Sequence, residues 1–423
     1  MSTNIWLGNA PVVAQVATAT FGVYDATTTR KITIGGVVVS ALDTGGTLTA
    51  ALTALAVVLN ASTHPYFSAI TWTSSATQIT GTAKIPGVSF TFAGSVSGGT
   101  GTCTNAYTVA TANQGPCDWS TASNWSTGTV PVNGDDVIIK DCKTNICFGL
   151  NQSAVTLNTL RVMQSFTGLL GMNRQVFTTS ADGNTNNSNY VEYQPLYLQV
   201  GLQGTKYASV GEDYSTGTAP SGSRRIMIDF GTSQGTVDIQ QTASNSSESA
   251  RPAVRIKANS ASLNCFVRSA QGGFGVAADQ SNETSTIGKM EISDTSTNGS
   301  KVVTGPGVTM TTWEQYGGTN IMQAAATVAT VNMKGGTLQT EGTFALTTVN
   351  MYSGATLNSN STGTIGALNL YGGTANFRES NIARTVTSVV FQLQSTGSII
   401  ADGTVLTVIG FTMPQTAYQL TAK

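Results

Sequence analysis

The sequence predicts a mainly-β chain: a small N-terminal α+β domain followed by a right-handed parallel β-helix, or β-solenoid, with rungs of about 18–19 residues. Three observations carry this reading. Gly318, Gly336, Gly354 and Gly373 recur at intervals of 18, 18 and 19 residues, each in a similar local setting. Ahead of the last three stand Val331-Asn332-Met333, Val349-Asn350-Met351 and Leu368-Asn369-Leu370, an apolar–amide–apolar pattern with no helical stretch between copies. Only 10 % of residues are charged, and Thr, Ser, Asn and 46 Gly fill the deficit, a composition of strands and tight turns. A period this short makes one coil per repeat. An antiparallel array of hairpins with the same turn spacing is the competing arrangement.

Residues 1–100 are expected to form the small domain. Residues 12–24 read as a strand, and 31–39 as a hairpin turning at Gly35-Gly36. Residues 47–60 form the best helix in the chain: Leu48, Leu52, Leu55, Val58 and Leu59 recur at three- and four-residue spacing, and residues 60–65 close it at Pro65. Strands follow at 69–74, 78–85 and 89–95. Residues 101–117, bounded by the Gly98–Gly101 run and Gln114-Gly115-Pro116, read as a linker.

The solenoid is expected over 118–423. It opens with Trp119 and Trp125, read as an aromatic cap over the end of the core, then a turn holding Asp135 and Asp136 that feeds a strand at Val137. Leu157, Leu160 and Val162 mark early rungs, and the polar residues 180–189 mark a surface loop. Alternation along a strand sends Val331 and Met333 to one face and Asn332 to the other. Stacked repeats then align Met333, Met351 and Leu370 as an inner ladder and Asn332, Asn350 and Asn369 as an outer one. The second strand of each repeat reaches Leu338, Leu357 or Phe377. Met290-Glu291-Ile292 extends the pattern upstream and Phe391-Gln392-Leu393 downstream, and regularity fades before about residue 280.

A net charge of -1 with no basic stretch gives nothing to neutralise a phosphate backbone, so no nucleic-acid partner is expected. The longest apolar run, residues 50–59, is too short to span a membrane. The first residues lack a positive region followed by an apolar core, which predicts a chain made in a cytoplasm without a secretory signal. Of the five cysteines, Cys103 with Cys117 and Cys142 with Cys147 are conceivable disulfides, with reduced buried thiols as the alternative. One His and no Cys-x-x-Cys leave a zinc site a poor fit.

Residues able to carry chemistry are few. Glu192, Glu212, Asp213, Asp229 and Asp238 are the candidates for a glycosidase-type carboxylate pair, but their spacing does not separate them from turn acids. His64 reads as a capping or surface residue. The Gly98–Gly101 and Gly272–Gly275 runs lack the surroundings of a phosphate cradle and read as turns or linkers. Asn124-Trp125-Ser126 matches a glycosylation acceptor without an export context. Tyr190, Tyr193, Tyr197, Tyr207 and Tyr214 suggest a glycan-stacking surface, a subunit contact or ordinary strand packing. No catalytic, cofactor-binding or metal-binding residue is predicted.

The segment from Trp119 to Ile139, with Asn124-Trp125-Ser126, Val130-Pro131 and Gly134-Asp135-Asp136, resembles the opening of β-helical surface proteins, among them autotransporter passengers and virion proteins. The first hundred residues are similar to small α+β modules of bacteriophage structural proteins, and with Ile5-Trp6-Leu7-Gly8 the whole chain resembles β-helical phage and prophage proteins. The resemblance implies a structural virion protein, a capsid decoration or spike, assembled in the host cytoplasm. It implies a homotrimer contacting other virion proteins such as the major capsid protein; no enzymatic activity is expected, because no carboxylate pair, metal cluster or nucleophile arrangement stands out from turn chemistry. The alternative is a tailspike that recognises or cleaves host surface polysaccharide.

Overall fold

The structure is a computed structural model that describes residues 2–172, 196–212, 223–242, 245–246, 251–278, 283–294, 299–378, 382–392, 395–401 and 406–412. Among the described residues strand holds 52 % and helix 6 %, and most strands join one large parallel sheet system consistent with a β-solenoid. Each predicted triplet pairs in parallel with the one a repeat later. Val331 lies opposite Val349, which lies opposite Leu368; Met333, Met351 and Leu370 follow suit. All six side chains are fully buried. Asn332, Asn350 and Asn369 form the outer column, where each amide donates to the previous carbonyl at 2.8 Å. In-register amides on parallel strands satisfy one another in this way without needing a charge.

The inner columns run well beyond the regular repeats. Val137, Leu160, Ala208, Val237, Cys265 and Met290 stack in succession at intervals of 23, 48, 29, 28 and 25 residues. Trp313 and then Val331 continue the column. Sequence regularity fades before residue 280 because the intervals between stacked residues lengthen, whereas the inner column itself continues. Gln315 occupies an inner position between Ile292 and Met333. It is accommodated because its Oε1 accepts from Trp313 Nε1 at 3.1 Å and its Nε2 donates to Gly335 O at 3.2 Å.

Two details of the repeat differ from expectation. Downstream, Leu368 and Leu370 pair with Val389 and Phe391, so the strand Arg384–Phe391 enters two residues earlier than Phe391-Gln392-Leu393 would place it. A shift of two keeps the same faces inward, which is why the pattern alone did not fix it. In the second strand of the coil, Leu338 and Leu357 are followed by Ala375 rather than Phe377.

The small domain has its own core beneath two antiparallel sheets. One runs Ile70–Ser74, Gln78–Ala83, Val16–Gly22, Thr102–Thr111; the other runs Val37–Leu42, Thr29–Ile34, Ala93–Ser97. Gly35 and Gly36 turn the hairpin with φ of 57° and 78°, the pair of left-handed residues that a tight two-residue turn needs. Helix α1 (Leu48–Ala61) starts at Thr47, whose Oγ1 accepts from Ala50 N at 3.2 Å, and buries Ala51, Leu52, Leu55, Ala56 and Leu59. Val58 faces solvent instead. Helix α2 (Pro65–Ser68) is capped by His64, whose Nδ1 accepts from Tyr66 N at 3.3 Å. The domain also buries an ion pair, Arg30 to Asp43, with two contacts of 2.7 Å.

The boundaries need correction at both ends. Residues 102–111 are not linker but an edge strand of the small domain, paired antiparallel with Val16–Gly22. Ten exposed or half-buried residues gave no alternation to read. The strand Thr3–Ile5 belongs to the solenoid, paired in parallel with residues 136–138. The small domain is therefore inserted between the first and second strands of the solenoid.

Candidate functional site

The junction between the two units carries a dense set of buried polar contacts. Asp135, in the turn expected ahead of the strand at Val137, is 5 % exposed. Its Oδ1 accepts from Ser2 N and Ser2 Oγ at 2.9 and 2.8 Å, and its Oδ2 accepts from Asn4 Nδ2 and Val132 N at 2.9 and 3.1 Å. Burial works to raise its pKa, but the N–H groups of Ser2 and Val132 and the Ser2 hydroxyl outweigh it and hold the carboxyl below its ordinary value. Asp136 accepts from Asn158 Nδ2 and Thr159 Oγ1, both at 2.7 Å.

Asn124 ties both connections of the inserted domain to the cap. Its Oδ1 accepts from Ala10 N at 2.8 Å on the way in, and its Nδ2 donates to Gly115 O at 2.7 Å on the way out and to Asp118 O at 2.9 Å. The side chain is fully buried, so the glycosylation-like triplet is a structural clamp. Trp125 packs edge-on against Trp119 and Trp6, with centroids 4.6 and 5.1 Å away, and its Nε1 donates to Trp119 O at 2.8 Å. Trp6 was not anticipated as part of this cluster, because its strand is only three residues long and its partner is more than a hundred residues away.

The cysteines do not meet as expected. Cys103 packs on the small-domain core, whereas Cys117, Cys142 and Cys147 pack on the solenoid core. Cys117 lies beside Cys147: Cys117 O accepts from Cys147 N and Phe148 N at 3.0 and 3.1 Å. The neighbouring Cys147 side chain lowers the Cys117 thiol to about 7, and Cys117 together with burial pushes Cys147 well up. Cys142 instead donates to Leu7 O at 3.6 Å, and burial raises Cys265 to about 12. All five thiols are free in this structure.

The described candidate carboxylates, Glu212, Asp229 and Asp238, are each held by other partners. Glu212 receives both prongs of Arg161, with Nε at 2.7 Å from Oε2, and Ser209 Oγ adds a bond of 2.6 Å. The Arg161 contact holds Glu212 below its usual range, the opposite of what a general acid needs. Asp238 pairs with Arg268 at 3.0 Å. Asp229 lies on another strand, where its Oδ1 accepts from Gly231 N at 3.0 Å. It lines an open trough of about 430 Å³ on the solenoid wall with Gln199, Thr156, Thr232, Ser233 and Gln234. Glu192 and Asp213 lie outside the described residues, as do residues 180–189 and Tyr190, Tyr193 and Tyr214. Tyr197 is buried, with its OH 3.1 Å from Glu283, and Tyr207 is exposed, so these two make no shared surface.

One charged network was not foreseen. Lys289 reaches Glu291 and Glu314, each at 2.6 Å, and Lys334 reaches Glu314 at 2.7 Å and Tyr316 OH at 2.6 Å. The hydrogen bonds from Lys289 and Lys334 bring Glu314 down to about 2. Glu291 and Glu314 continue the outer column that becomes the Asn ladder. Glu314's partners, Lys289 and Lys334, sit one rung to either side of it, a proximity that linear spacing did not reveal.

Among the described residues no group of three or more His, Cys, Asp or Glu side chains is placed to hold a metal, and no helix is long and apolar enough to cross a membrane. No protein-family model, curated protein or solved structure matches the chain.

Proposed function

We propose that this chain is a structural bacteriophage virion protein, a capsid decoration or spike, in which a right-handed β-helical shaft carries the inserted small domain as the module that contacts the particle. The observation that carries the reading is the junction: Asn124 clamps both connectors of the small domain against a solenoid end sealed by three Trp. A domain held by two side-by-side connectors transmits load to the shaft better than one on a single tether. The Asn column, with its groups bonded to one another, gives a charge-poor wall suited to an inert exterior. The proposed assembly is a homotrimer contacting other virion proteins, with Ile409 and Phe411 on the last described strand offering apolar surface to a neighbouring copy.

The second reading, a receptor-binding tailspike, is favoured by the trough beside Asp229, which is large enough for a short saccharide. Incubating the protein with host capsule and lipopolysaccharide separates the two. The structural reading expects no cleavage, and cleavage lost on Asp229→Asn would favour the tailspike.

A further inference from the structure

We propose that Cys117 and Cys147 form a redox-modifiable pair that closes into a disulfide when the protein meets a low-molecular-weight disulfide, locking the Trp cap to the solenoid wall. The two residues are neighbours across a parallel bridge, as the adjacent pairing of Asp118 with Phe148 and the bonds from Cys147 N and Phe148 N to Cys117 O require. Neighbouring strands lie roughly 4.8 Å apart, inside the Cα separation that a disulfide spans. The backbone bonds from Cys147 N and Phe148 N to Cys117 O already hold the two segments side by side, so closure needs little backbone movement. Both are only partly buried, which leaves room for a small reagent to arrive.

The pair is also unequal in the way exchange chemistry uses. Cys117 carries the more acidic thiol and is the attacking sulfur near neutral pH. Its thiolate attacks one sulfur of the small disulfide, breaking that S–S bond and expelling one thiolate, and leaves a mixed disulfide on Cys117. Cys147 then loses its proton and attacks the Cys117 sulfur, expelling the second small thiolate. Two protein thiols become one disulfide and the reagent becomes two thiols, so electrons and protons balance. The buried Arg225 guanidinium lies near enough to Cys147 to favour its deprotonation in the second step. The closed loop would enclose Trp119, Trp125 and the strand Asp136–Ile139.

The test uses the full chain carrying Cys103→Ser, because no Lys or Arg separates residue 103 from 117, whereas Lys140 and Lys143 separate 117 from 147. The protein is exposed to oxidised glutathione at pH 8, then alkylated, digested with trypsin and analysed by mass spectrometry. The expected product links peptide 85–140 to peptide 144–161, and the linked protein melts at a higher temperature than the same sample in reductant. Adding Cys147→Ser should trap glutathione on Cys117 and abolish the melting shift, whereas Cys142→Ser should change neither readout. Full alkylation of both thiols after oxidation, a glutathione adduct persisting on Cys117 with Cys147 present, or a link to Cys142 would overturn the proposal.

Discussion

Single side chains at the junction have consequences out of proportion to their number. Removing Asn124 leaves Ala10 N–H without its acceptor and takes one of two donors from each of the Gly115 and Asp118 carbonyls, which keep Asp118 N and Thr121 N. Asn124→Ala should therefore cost about 1–3 kcal/mol, the range for one orphaned buried group. Denaturant titration followed by tryptophan fluorescence would measure it, because Trp119 and Trp125 flank the site. Asp135 adds a pH dependence whose sign is fixed. Its folded pKa is depressed, so it contributes stability that is present above the unfolded value near 3.9 and is lost as pH falls through the folded one. Glu314 acts in the same direction, with its contribution lost as pH falls from about 4.5 toward about 2. Melting curves between pH 6 and pH 2 should show wild type losing stability more steeply than Glu314→Gln, and parallel curves would contradict this assignment.

The elements divide into those that announce themselves locally and those defined by distant partners. Helix α1 and the Gly35-Gly36 hairpin were legible because capping, periodicity and turn residues lie within a few positions of one another. The repeats from 331 to 370 were legible because strand, turn and strand recur without insertion, so Gly, Asn and apolar positions stay in phase. Earlier rungs share the same inner column, but longer intervals break the period, and a sequence pattern records the period more clearly than the register. The strand Thr3–Ile5 and the strand Thr102–Thr111 were missed for opposite reasons: one is too short to show alternation, and the other has too little buried surface. In the site, the carboxylates could be named but not paired, because ion pairs such as Arg161 with Glu212 join residues 51 positions apart. The Arg30–Asp43 pair sits within the hairpin, and both side chains are almost wholly buried. Asp43→Ala should destabilise the small domain by about 3–5 kcal/mol by leaving the guanidinium unpaired. A thermal scan should then show the small domain melting ahead of the solenoid.

At the scale of the whole molecule, insertion of the small domain changes what truncation means. Deleting residues 1–110 removes Thr3–Ile5 and Trp6 together with the domain, and so uncaps the solenoid. Replacing residues 11–116 by a short Gly-Ser linker keeps the first strand and the cap, and should leave a soluble solenoid with its β-type circular dichroism intact. Light scattering on that shortened chain and on the full chain should give trimers in both, since the proposed contacts lie in the solenoid. Trimers lost only on excision would assign assembly to the small domain. The central claim, that the chain is built into a phage particle, is tested most directly by immunogold electron microscopy. The specimen is phage particles from the source culture, labelled with antibody raised against the full chain. The account predicts gold at regular positions on purified particles; label confined to the cell surface or to particle-free supernatant would contradict it.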